Sequence, residues 1–190
     1  MDPLATVRRR ARWMYWTFGV LLVVVLAALF TTAAITQDAK FLEPRAIFTA
    51  LSLPLTAAGL TGGIICLMLT TDANASMKLE PERQKSVNRA VRTVSAADLL
   101  PTEREPTRIY ARTMAAIFRL QIVQFLLLFA GLAATRLANF FTPGSSLHTF
   151  DAIFLIGVVI VSVALVPFIL HRAQRLQRFA DEIEASQVLD

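Results

Sequence analysis

Long apolar blocks alternate with polar, charged segments along this chain, and each block has the length of a membrane span. The first runs from about Trp13 to Thr36, through FGVLLVVVLAALF. The second runs from about Ala46 to Thr70, through LTAAGLTGGIICLML. The third covers about Ala115 to Thr135, and the fourth about Phe150 to Leu170, through AIFLIGVVIVSVALVPFIL. A hydrocarbon core about 30 Å thick is crossed by about 20 helical residues, so each block predicts one transmembrane helix. The apolar part of the first block is longer than the roughly 7–15 residues of a cleaved leader, and it is read as a retained span. The expected fold class is an all-α integral membrane protein. Four transmembrane helices form a single membrane domain over residues 1–190, with a loop at 71–112 and a tail helix at 171–190.

Composition agrees with the pattern. Of 190 residues, 55% are hydrophobic and only 17% are charged, against roughly 25% charged in an average soluble domain. The single cysteine, Cys66, lies in the second span. It excludes a disulfide or a cysteine-based zinc site within one chain and reads as small apolar filler.

The sequence pI is about 10.1, and the placement of the charge matters more than its sum. Fifteen of the nineteen Lys and Arg residues lie in the two tails and the middle loop, three lie in the other two loops, and Arg119 lies within a span. Because cytoplasmic segments carry the excess of Lys and Arg, this predicts both termini and the middle loop in the cytoplasm. The expected location is a bacterial inner membrane with an anionic inner leaflet, and nucleic acid is not an expected partner. Trp13 and Trp16 follow the basic N-terminal tail at the level where amphipathic rings favour headgroups. The sequon Asn74-Ala75-Ser76 falls on the predicted cytoplasmic face, where no glycan is expected.

The third span contains FRLQIVQF, an arginine and two glutamines in an apolar helix. Arg119 and Arg136 are 17 residues apart, about 25 Å of helix. Each can extend outward and leave its guanidinium among headgroups, so both are expected as membrane-edge anchors. Gln121 and Gln124 are 60° apart on one helix face. An unpaired amide is costly in hydrocarbon, so they are expected to pack on another helix. Gly59 and Gly63, four apart in the second span, offer a surface for close backbone approach. Pro54 and Pro167 lie inside spans, where they are expected to kink the helix.

The polar segments also carry helical periodicity. In PERQKSVNRAVRTVSA, Val87, Val91 and Val94 recur at helical spacing among basic residues. This predicts an amphipathic loop helix lying on the inner leaflet or docking a partner. LLPTEREPT reads as a linker. In the C-terminal tail, Leu176, Phe179 and Ile183 form a stripe that needs a partner: the loop helix, the membrane surface or another subunit. Val87, Val91, Leu176 and Phe179 are thus the candidate docking residues. The first and third spans also echo each other, with eight identities in 24 ungapped positions at an offset of 100, suggesting two hairpins of common orientation.

No span carries Asp or Glu at its middle, as ion-coupled transport usually requires. Neither His148 nor His171 is placed for a haem between helices. No phosphate loop, metal cluster or nucleophile–base set occurs in the sequence, and no cofactor is expected. The sequence therefore points to a non-enzymatic accessory or scaffolding subunit of a larger membrane complex. The alternatives are a small oligomeric transporter or channel, and a regulator that senses the membrane surface through its basic loop.

Overall fold

The computed structural model describes residues 3–36, 43–77, 79–95, 99–141 and 148–189. Lys40 and Lys78, two of the cations in the charge balance, lie outside the described residues. The chain forms five helices: α1 (Pro3–Thr36), α2 (Pro44–Ser76), α3 (Pro81–Thr93), α4 (Pro101–Phe140) and α5 (His148–Leu189). No strand occurs among the described residues. Helices α1, α2, α4 and α5 are long and apolar enough to cross a membrane. The proline expectation is met only in placement: Pro54 and Pro167 lie inside continuous helices.

The helices outlast their apolar blocks. At 40 and 42 residues, α4 and α5 are each about 60 Å long, twice the thickness of a hydrocarbon core. The described chain packs as two compact units. A charged unit comprises Met1–Arg10, Ile65–Ile122 and Pro167–Asp190. An apolar unit comprises Ala11–Ile64 and Val123–Val166.

The middle segment is largely helical, and the expected linker LLPTEREPT is the start of α4. The reason is local. Pro101 takes the first helical position, where its missing N–H costs nothing. Glu103 turns back to accept a hydrogen bond from the backbone N–H of Leu100 at 3.2 Å, the return half of a capping box. Pro106 forfeits one helical donor only five residues into the helix. Helix α3 also opens on a proline, Pro81, and ends at Val94. Val94 adopts φ 57° and ψ 49°, the left-handed conformation that closes a helix but crowds a β-branched side chain.

The core of the charged unit collects Val7, Val87, Val91, Leu99, Ile117, Leu120, Leu176, Phe179 and Ile183, all buried. Each such side chain contributes about 1.5–3 kcal/mol relative to exposure.

Candidate functional site

Three arrangements concentrate the polar and closely packed residues. The first is a seam between α2 and α4 inside the apolar unit. A Cβ at Gly59 would lie 2.6 Å from the Cα, Cβ and N of Leu128. From the other helix, a Cβ at Gly131 would fall against Thr56 Oγ1 and lie 2.5 Å from Thr56 N. The two glycines let the backbones meet at distances no side chain permits. One turn along, Gly63 faces the Gln124 side-chain amide, at 3.2 Å from the Cβ it lacks. Gln124 is buried, whereas Gln121 is only half-buried and belongs to the charged unit. The pair of glutamines is therefore divided between two environments. Gly131 is the member of the seam that the sequence reading missed. It stands in FAGLAAT, where a lone glycine among small residues has no second glycine four residues away to mark it.

The second arrangement is the interior of the charged unit. The four candidate docking residues sit here, and all are inside: Val87 is 0% exposed, Val91 7%, Leu176 1% and Phe179 2%. The expectation that they dock a partner or a membrane surface is corrected by this burial, because a side chain closed off by its own chain offers no contact area. The stripe's need for a partner is met internally. The third member of the tail stripe, Ile183, shares a groove with Val94, Arg104 and Phe179, which brings the end of α3, the start of α4 and the tail of α5 together. Gln84 of α3 donates to the backbone carbonyl of Asn74, and Tyr110 donates to Asn74 Oδ1. Asn74 of the sequon thus joins α2 to α3 and α4.

Around that interior runs an ionic lattice between α4 and the α5 tail. Arg108 bonds Glu105 on its own helix and Glu184 on α5, at 2.7 and 2.9 Å. Arg112 reaches Asp181 and Glu184, at 2.9 and 2.6 Å. The Arg108 hydrogen bond lowers the Glu105 carboxyl below the usual range, and the bonds to Asp181 and Glu184 raise the Arg112 guanidinium. Arg10 of α1 approaches Asp72 of α2 at 2.8 Å as an ion pair, without an aligned N–H···O bond. The carboxylates are about half exposed and the arginines partly covered, so each pair contributes modestly.

The third arrangement is at the other end of α4, inside the apolar unit. Arg136 pairs with Asp151 at 3.3 Å, and its guanidinium stands 5.4 Å from the Phe150 ring centre and 4.8 Å from that of Phe154. Asp151 is fully buried, and its second carboxylate oxygen has no hydrogen-bond partner. Arg136 is thus folded onto α5. The rings and the carboxylate offer a closer counter-surface. The sequence held the signal, two opposite charges flanking the short segment between α4 and α5, but attention to the middles of the spans passed over it.

The remaining anchor candidates lie on the surface. Trp13 and Trp16 are exposed by 71% and 70%. Arg119 is exposed and donates to the Gln177 side chain on α5, and Arg172 stacks over Phe118 at 5.5 Å. No group of three His, Cys, Asp or Glu side chains that could hold a metal occurs among the described residues. The Ser162 hydroxyl donates to the Val158 carbonyl within its own helix.

No known protein family, curated protein or solved structure matches the chain.

Proposed function

We propose that this chain is a non-enzymatic accessory or scaffolding subunit of a larger complex in a bacterial inner membrane, with both termini and the charged unit in the cytoplasm. The carrying observation is the uneven covering of the spans. In the most apolar stretch of each helix, 33% of α2 and 28% of α4 is buried within the chain, against none of α1 and 6% of α5. On α5, Ile153, Ile156, Ile160 and Val163 are exposed and follow helical spacing. These faces have lipid or another protein's helices as their neighbours. A small chain that spends two of its four spans this way is suited to assembly. The charge bias of the tails and middle segment supports the orientation.

Affinity purification from the native membrane in mild detergent tests the proposal. A stoichiometric larger membrane protein is the expected companion. A lone homo-oligomer that moves solute by itself in liposomes overturns the proposal in favour of a small transporter. One observation favours that second reading: Asp151, a buried carboxylate with an unpartnered oxygen in the apolar unit, is the kind of group transport pathways use. On that reading, flux is lost in Asp151→Asn.

A further inference from the structure

Helix α3 turns its apolar side, Val87, Ala90 and Val91, inward. At 100° per residue, Lys85, Arg89 and Arg92 fall within 60° of one another on the opposite side. All three are exposed, and they span eight residues, about 10 Å along the axis. No carboxylate pairs with any of them among the described residues. This contrasts with Arg108 and Arg112, each of which holds two. Glu82, also exposed, stands at the edge of the same face and leaves it net positive.

The position of the face decides what it can meet. Asn74 and Gln84 set the start of α3 level with Tyr110, nine residues or about 13 Å along α4 from Arg119. Val94, at its end, shares a groove with Arg104, fifteen residues or about 22 Å from Arg119. With Arg119 as the membrane-edge anchor and a headgroup layer about 5–7 Å deep, the Lys85 end of the face stands about a Debye length (~8 Å at physiological salt) from the headgroups and the Arg92 end well beyond it. Anionic headgroups are thus screened from most of it. The helix has no aromatic side chain on which a nucleic-acid base could stack. A protein surface carrying carboxylates is the occupant that remains.

We propose that Lys85, Arg89 and Arg92 form a docking face for an acidic protein segment, with carboxylates spread over about 10 Å to match three cations on adjacent turns. The inference rests on the subunit reading and names the chemistry of the partner. Because α3's apolar side is spent on the charged unit's own core, recognition is electrostatic and reversible rather than an insertion.

The test uses the full chain in nanodiscs of neutral lipid and a fluorescent poly-glutamate peptide, read by anisotropy. The expected result is salt-sensitive binding that falls about tenfold, or ~1.4 kcal/mol, in the triple variant Lys85→Gln, Arg89→Gln, Arg92→Gln. A control removes two exposed tail cations, Arg175→Gln and Arg178→Gln, and keeps binding. Equal binding by the triple variant, or equal loss in the control, overturns the proposal. So does tighter binding of poly-uridylate, which would assign the face to nucleic acid, or loss of peptide binding only when the nanodiscs are made anionic, which would assign it to lipid. The subunit reading is tested separately. A native partner retained by the triple variant leaves that reading standing and removes α3 from it.

Discussion

Replacing glycines by alanine one at a time separates the positions where two helices touch from those where they do not. Alanine is favoured over glycine within a helix by about 0.8–1 kcal/mol. At Gly19 and Gly157 a new methyl meets nothing within 4 Å, so these variants should be neutral or more stable by up to that amount. At Gly59 the methyl would stand 2.6 Å from Leu128 backbone atoms, where carbon atoms rest at about 3.5–4.0 Å. The two helices must part by about 1 Å along the seam. Overpacking of this kind costs about 1–3 kcal/mol, and the helical gain offsets about 0.8–1 kcal/mol of it, leaving Gly59→Ala destabilised by about 0–2 kcal/mol and below Gly19→Ala in either case. Gly131→Ala meets Thr56 more closely still and should rank at least as low. Gly63→Ala presses only the end of the Gln124 side chain, at 3.2 Å, and should fall between the two groups. Thermal unfolding in one detergent, followed by helical circular dichroism, reads the order. For a chain of this size 1 kcal/mol corresponds to about 2–4 °C. If Gly59→Ala melts with Gly19→Ala, the α2–α4 seam is not as close as described and the argument fails.

Three further predictions follow from the other arrangements. Val94→Gly relieves a left-handed β-branched residue and should stabilise the end of α3 by about 0.5–1 kcal/mol. Slower hydrogen exchange of α3 amides is the readout, and faster exchange would contradict the strain. Phe179→Asp places a charge in the core of the charged unit and should cost about 3–5 kcal/mol. Proteases should then cut within α3 and the tail while the spans remain inserted. Unchanged resistance would mean that the tail is a free surface after all. Asp151→Asn keeps the shape but removes the ion pair with Arg136. Discounting a buried pair for the partial exposure of Arg136, the expected loss is about 1–2 kcal/mol, and an unchanged melting temperature would count against a structural role for the pair.

The four long helices were legible because apolar blocks of about 20 residues leave few alternatives, and those helices contain the four blocks named from the pattern. The α3 and tail periodicities were legible as well, but their destination was not. Helical spacing at Val87 and Val91, or at Leu176 and Phe179, states that a face is to be buried and is silent on whether the cover comes from another chain, a lipid surface or another segment of the same chain. The ionic lattice was hidden for a different reason. Arg108 and Glu184 lie 76 positions apart in the chain, and no local rule links them. Pro101 and Pro106 misled because two prolines suggest a linker, whereas one begins a helix and the other falls within its first turns. Asp151 escaped because a carboxylate at the edge of an apolar block looks like the end of a span rather than the counter-charge of Arg136.

The charged unit is assembled from three separate stretches of chain, with the apolar unit's sequence inserted between them. This arrangement imposes an order on biogenesis. Val87, Val91 and Ile117 leave the ribosome before Leu176 and Phe179 exist to cover them, and those last residues arrive only after the fourth apolar block has been threaded. An unfinished or misinserted chain therefore displays an uncovered greasy surface of the kind that chaperones and proteases recognise. Folding of α5 against α3 and α4 conceals it.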